Sequence, residues 1–402
     1  MPPIAPQQQR LRRSRHVDGE GRPRLAAMPD AGAAMVEGGG RAPGRVVRPD
    51  TSCSIGVWDP PRKFGTGLVN HKEQRWATNN VDKASRAFQN GVEMWIRERL
   101  EQQPQNRSTG SERPSRTFAA IYWSFIHIFA RDRHEAAGRV MREFAQRHAR
   151  RDPDGYVFVP HSHPGSCHPS TSRMVRLLVD KGMSCGVSPY SIPVPYVVSQ
   201  PKWLVWPTLP ASERTTLVFF RGHIPKGYID KQQVRATLVR KLAGIPSVVV
   251  EPATLLGNAS YQRHGTYLHR MLHSVFCLAP RGDTASGRRL YEAIAAGCIP
   301  VIIADELELP FQSQLDWPSF SLRYSEDLAV RSPLKIIADL RAMRQPRVRR
   351  MQRALLEARP SFLWHTDPGR VGAVDRVIHE MCAWGAPTTP KGPRPPLPRL
   401  IG

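Results

Sequence analysis

The sequence predicts an α/β fold: two Rossmann-like domains facing across a cleft. Strand-like runs rich in β-branched and aromatic residues alternate with helical patterns, which calls for parallel sheets closed by right-handed crossovers. The alternation occurs twice, on either side of "PKWLVWPTLP" at 201–210. With 402 residues and 40% hydrophobic content, the chain is long enough to bury two cores.

Taken in order, residues 1–50 are rich in Arg, Pro, Gly and Ala and read as a disordered basic extension. An N-terminal domain over 51–205 follows, with strand-like 54–58, a helix over 83–100, a strand at 118–128, a helix over 134–149, the strand "YVFV" at 156–159 and a helix over 170–181. The second domain, 206–360, opens with "TTLVFF" at 215–220 and a helix over 230–242. It continues with "SVVVE" at 247–251, a helix over 261–272, "VFCLA" at 275–279, a helix over 286–296 and "IPVII" at 299–303. Helical patterns at 332–357 and 367–383 close it, the latter lying in a return helix segment, 361–384, and a Pro-rich tail occupies 385–402. In such an architecture a ligand sits at the carboxyl ends of the strands, between the domains.

The formal charge of +24 attracts nucleic acid, anionic polymers, phosphates and membrane surfaces alike. No zinc-finger spacing, ribonucleoprotein motif or basic zipper accompanies it, so no specific nucleic-acid partner is expected. The six cysteines make no CxxC pair, and Cys277 and Cys298, in apolar runs, read as buried core thiols. The longest apolar run, "FAAIYWSFIHIFA" at 118–130, is shorter than the ~20 residues of a membrane span. Residues 1–50 show no signal or anchor pattern. Sequons at Asn106 and Asn258 would permit glycosylation in a lumenal protein.

The most informative stretch is "HSVFCLAPRGDTASGRRLYEAIAAGCIPVII" at 273–303. A strand feeds the loop "PRGDTAS", and the next helix places Leu290, Ala293 and Ile294 on its buried face. Asp283, Thr284 and Ser286 are good helix caps. The loop thus aims backbone N–H groups and a helix dipole into the cleft, which suits a diphosphate. Gly282 lies in the same loop, and Arg281, Arg288 and Arg289 add charge-assisted contacts to phosphate oxygens. Glu292 is spaced to take the ribose hydroxyls, and Gly297 turns the chain into the next strand. Taken alone, the helix also fits a surface ion pair between Arg288 and Glu292 with Gly297 as a helix stop.

Beyond this stretch, "VWDPPRKF" at 57–64, "VPHSHPGSCH" at 159–168, "LVFFRG" at 217–222 with Arg235 downstream, and "WPSFSL" at 317–322 form a collinear series. In this series the chain resembles the exostosin-like glycosyltransferases, of the plant and algal type. The resemblance implies a GT-B architecture and an inverting glycosyltransferase that moves a sugar from a UDP-sugar to a hydroxyl of a growing polysaccharide or glycoprotein glycan. It places Arg289, Glu292, Gly297 and Arg221 in the donor site. It also implies work on the lumenal side of the Golgi apparatus, with membrane association indirect or through an anchor missing from this chain, and leaves room for another glycosyltransferase subunit as partner.

An inverting transfer needs a base at the attacking hydroxyl. Many family members carry an Asp in the N-domain loop, where this chain has His161-Ser162-His163-Pro164-Gly165 and no carboxylate. His163, or His161 in its place, is the candidate base, and Arg289 the candidate to neutralise the departing diphosphate. The loop's His-x-His-x3-Cys-His spacing does not make a familiar closed zinc site, so no metal ligand is assigned. The altered loop also suits an alternative, an inactive exostosin-like partner or chaperone of another glycosyltransferase.

Overall fold

The computed structural model describes residues 53–58, 91–103, 116–119, 143, 146, 156–161, 174–179, 191–198, 208–224, 233–253, 267–282, 284–365 and 370–384. The expected N-terminal extension, the Pro-rich tail, both sequons and most of the segments 118–128 and 134–149 lie outside these residues.

Two five-stranded parallel sheets organise the chain. The first contains β1 (Ile55–Trp58), β2 (Arg116–Ala119), β3 (Tyr156–His161), β4 (Val175–Leu178) and β5 (Ser191–Pro193), hydrogen-bonded in sequence order. The second contains β6 (Thr216–His223), β7 (Val248–Ala253), β8 (Ser274–Pro280), β9 (Ile299–Ile303) and β10 (Leu322–Arg323), ordered β10-β9-β8-β6-β7. The α/β prediction with parallel sheets therefore holds. In the second sheet the chain steps outward from β6 to β7, returns to β8 on the other side of β6, and continues to β9 and β10. A crevice opens outside the carboxyl ends of two strands where the winding reverses, here β6 and β8.

The helices are α1 (Val92–Gln102), α2 (Gln233–Leu242), α3 (Arg288–Ala295), α4 (Trp317–Phe320), α5 (Glu326–Arg331), α6 (Pro333–Ala342), α7 (Gln345–Ala358) and α8 (Ala373–Ala383), with further helical residues at 267–272. Every residue of β9 is buried, as expected of a strand covered on both faces. Phe362 anchors the core beside the second sheet, its ring facing Trp317 at 5.1 Å, Phe311 at 6.0 Å and Tyr291 at 6.1 Å.

α8 is tied to the first sheet. Cys382 is disulfide-bonded to Cys53, just before β1, and Arg99 of α1 pairs with buried Asp375 at 2.7 Å. Arg116 of β2 donates to the carbonyls of Met381 at 3.2 Å and Cys382 at 2.9 Å, occupying acceptors that the end of a helix leaves open.

Four sequence expectations are corrected. Within the segment read as a helix over 170–181, Val175–Leu178 is strand β4 with every residue buried. A short apolar run does not distinguish a buried strand from a buried helix by period alone. Strands β5 and β10 were not foreseen, being 3 and 2 residues long. The helix expected over 332–357 is two, because Met343 and Arg344 take extended dihedrals before Pro346. Cys277 and Cys298 are buried but bonded to each other, linking mid-β8 to the turn before β9.

Candidate functional site

β6 ends in Phe219-Phe220-Arg221-Gly222-His223, and its carboxyl end carries the first part of the site. Arg289, in the first turn of α3, donates from Nε to the Arg221 carbonyl at 2.8 Å. Its guanidinium carbon lies 4.8 Å from the centre of the Phe220 ring, a cation–π arrangement. Gly222 makes this approach possible. A Cβ there would stand 2.7 Å from Arg289 Nη2 and 2.8 Å from Phe220 Cζ, both closer than real contacts. The Arg221 side chain turns towards Glu251 of β7, at 4.0 Å, and Glu251 also pairs with Arg270.

The carboxyl end of β8 carries the second part. Arg281 extends the strand by one hydrogen bond, from its N–H to the Ile303 carbonyl at 2.8 Å, and Gly282 N–H turns back to the Thr284 carbonyl at 2.9 Å. The Arg281 guanidinium is only 6% exposed and pairs with Glu326 at 3.2 Å and Glu306 at 3.4 Å. Between the two strand ends lies Arg235 of α2. It donates from Nε to the Arg281 carbonyl at 2.8 Å and from Nη1 to the His223 carbonyl at 3.2 Å. Gly282 leaves room for it, since a Cβ there would be 2.3 Å from Arg235 Nη2. Among the described residues, Arg281 Nε and His223 Nδ1 are buried with no hydrogen-bond partner.

α3 starts at this end of the sheet. Its N-cap is Gly287, so neither Thr284 nor Ser286 stands at the N-cap position. Thr284 Oγ1 donates to the Ser286 carbonyl at 3.2 Å. Four residues along, Glu292 is 5% exposed. Arg288 pairs with its Oε1 at 2.8 Å, and the Tyr267 hydroxyl donates to Oε2 at 2.7 Å. The pair is therefore internal rather than a surface pair. Burial, followed by the Glu292 charge, pushes the Tyr267 phenol well above its usual pKa, which keeps it a donor at every physiological pH.

A narrow cleft joins this region to the first sheet. Leu178 and Val179, from the carboxyl end of β4, and Pro193 and Val194, from that of β5, face Ser286, Tyr291 and Glu308 across it. Tyr196 packs against Tyr291 with ring centres 6.1 Å apart.

The structure thus brings together Arg221, Arg281, Gly282, Ser286, Arg288, Arg289 and Glu292 around one end of the second sheet. Gly297 does not join them. It adopts φ +64° after α3, and a Cβ there would meet Thr208 at 2.9 Å and Arg214 at 3.1 Å, at the amino ends of β6, β8 and β9. It is a left-handed helix stop packed against the far edge of the sheet. His161 ends β3, whereas His163 and Asp283 lie outside the described residues. Two residues outside the sequence assignment complete the arrangement, and a third braces the opposite end of the sheet. Arg235 staples the strand ends, Tyr267 holds Glu292, and buried Arg214 donates to the carbonyls of Leu209, Met271, Ser274 and Ala296. Each acts on backbone or on another side chain from a distant segment, so local spacing carries no sign of it.

The chain is 30% identical over 166 residues to a probable arabinosyltransferase of Arabidopsis thaliana, covering 41% of this chain and 36% of the relative. It is 38% identical over 120 residues to a probable glucuronoxylan glucuronosyltransferase of the same plant, covering 28% and 25%. A probable glucuronosyltransferase of Oryza sativa subsp. japonica is 36% identical over 121 residues, covering 29% and 26%. These alignments span a quarter to about a third of the relatives' length. The exostosin GT47 domain model matches residues 52–340, which takes in all ten strands, the switch point and the cleft. With that match running from the strand before α1 to the helix after β10, the chain belongs to the exostosin GT47 family.

Proposed function

We propose that the protein is an inverting glycosyltransferase that moves a sugar from a UDP-sugar to a hydroxyl of a polysaccharide or glycoprotein glycan. Membership of the exostosin GT47 family and the glycosyltransferase names of its relatives support the reaction class. The observation that carries the donor reading is the position of Arg289, folded over Phe220 and bonded to the Arg221 carbonyl at the crevice between β6 and β8. A diphosphate lying there meets the first turn of α3, whose N-cap is Gly287, and the guanidiniums of Arg281 and Arg289. Glu292 supplies the carboxylate for the ribose hydroxyls. As the bond between sugar and phosphate breaks, charge grows on the diphosphate, and fixed cations beside it lower the barrier. The acceptor enters through the cleft beside β4 and β5, and His163, or His161, takes its proton.

The two domains, 51–205 and 206–360, divide the labour in this reading: acceptor on the first, donor on the second. Two disulfides among the described residues, Cys53–Cys382 and Cys277–Cys298, support an oxidising compartment such as the Golgi lumen.

Incubation with a panel of UDP-sugars, read as slow release of UDP, tests the proposal without an acceptor. Hydrolysis of one sugar nucleotide above the others is expected. Tight UDP binding without turnover on any donor or acceptor would favour the inactive-partner reading, and no UDP binding would remove the donor site.

A further inference from the structure

We propose that Arg235 is a positioning residue that sets the gap between the carboxyl ends of β6 and β8, and through it the geometry of donor cleavage. The role in cleavage rests on the donor site proposed above. The setting of the gap rests on the fold alone.

Two adjacent parallel strands exchange hydrogen bonds along their length, but their pairing ends before their loops begin. The register of β6 with β8 runs from Thr216↔Ser274 to Phe219↔Cys277. Beyond it, Phe220 to His223 stay in register with β7 and Leu278 to Pro280 with β9, so only the carbonyls that face the crevice need donors from elsewhere. Arg235 supplies them from α2, with one guanidinium bridging Arg281 O at 2.8 Å and His223 O at 3.2 Å. The planar fork fixes both distances at once, which a point charge does not. Arg289 holds the same edge two residues earlier, at Arg221 O. Two positions on the same lip of the crevice, Arg221 and His223, are therefore pinned from different helices.

Gly282 records how tightly this bridge is seated, because any side chain there would overlap the Arg235 guanidinium. Each of the two residues whose carbonyls Arg235 holds also has a buried side-chain nitrogen without a partner, Arg281 Nε and His223 Nδ1. Buried polar atoms without partners are uncommon and mark places where a polar group is missing. Arg235 thus orients two backbone segments that each present an unmet hydrogen-bonding nitrogen at the switch point, where misplacement of a reacting group by about 1 Å costs on the order of 10²-fold in rate.

The test compares Arg235→Lys and Arg235→Ala in the full chain with wild type, by amide hydrogen exchange and by turnover of the preferred donor. In Arg235→Ala, exchange is expected to accelerate at Gly222, His223, Arg281 and Gly282, with the exchange of β9 and α7 unchanged. The kcat for donor cleavage is expected to fall about 10²-fold with a KM change of less than about fivefold. Arg235→Lys is expected to recover less than a tenth of the lost kcat. Unchanged exchange at the strand ends in a folded variant overturns the positioning role, whether or not any donor is turned over. Accelerated exchange with undiminished kcat overturns the link to cleavage. Should wild type bind no UDP, the donor reading fails, and the exchange arm still decides whether Arg235 sets the gap.

Discussion

At the scale of single residues, the site is a set of side chains holding one another, so its substitutions separate binding from shape. Gly222→Ala should act through both Arg289 and Phe220: its Cβ would sit 2.7 Å from Arg289 Nη2, which can move aside, and 2.8 Å from Cζ of the buried Phe220 ring, which cannot move without disturbing the core. Turnover is then expected to fall, as is expected of Arg289→Ala, and the denaturation midpoint to fall with it. Equal kcat for Gly222→Ala and wild type would show that the seat of Arg289 is irrelevant to the reaction. Glu292→Ala differs, because it deprives both Arg288 and the buried Tyr267 hydroxyl of their acceptor. It should cost about 1–3 kcal/mol of stability, the range for an unsatisfied buried group, and weaken UDP binding as well. Tyr267→Phe separates the two effects, since it removes the internal bond and keeps the carboxylate. Calorimetry with UDP is expected to show weaker binding in Glu292→Ala than in Tyr267→Phe, and equal affinities would reduce Glu292 to a structural role.

At the scale of elements, strand–loop–helix order was legible where the pattern was long and its punctuation strong. β8, α3 and β9 follow from "VFCLAP", "RRLYEAIA" and "IPVII" within a residue or two, and the arginines of that block fall at the carboxyl ends as expected. β4 was misread because a four-residue buried run in a parallel sheet shows no alternation. Gly297 was placed with the donor by the resemblance, although the eight residues of α3 carry the chain back to the opposite end of the sheet. Arg214 escaped notice for a similar reason, since its acceptors come from three separate segments. Burial pushes its pKa down to about 10, still far above neutrality, so it remains charged and bonded to carbonyls. Arg214→Leu should therefore lower stability by about 2–4 kcal/mol in urea, because it leaves several carbonyls at the amino ends of β6 and β8 without a donor. Since folding depresses this pKa, the unfolded chain holds more protons only above about pH 10, and the Arg214 contribution to stability should rise with pH there and be flat below. A wild-type chain and an Arg214→Leu variant whose stability difference changes between pH 6 and pH 9 would contradict that assignment.

At the scale of the whole molecule, the chain closes on itself. Cys53 and Cys382 are 329 positions apart, and their bond joins the entry of the first sheet to the end of α8. Three polar contacts reinforce the same closure: Arg99 with Asp375, and Arg116 with the carbonyls of Met381 and Cys382. Replacing both cysteines by serine returns the loop's entropy to the unfolded chain, and for a loop this long the expected loss is about 2–5 kcal/mol. Arg99→Ala should be comparably harmful for a different reason, because it removes the guanidinium from the buried Asp375 carboxylate, which also accepts from the Gly372 N–H at 2.8 Å. The two lesions meet on one helix, so they should not be additive. A thermal melt of the Cys53→Ser/Cys382→Ser variant, of Arg99→Ala and of the combination decides this: if α8 is held as a unit, the combined loss is smaller than the sum, and reductant lowers the melting temperature of wild type and Arg99→Ala more than that of the serine variants. Strict additivity, with no effect of reductant on wild type, would mean that the disulfide and the ion pair anchor separate parts of the chain.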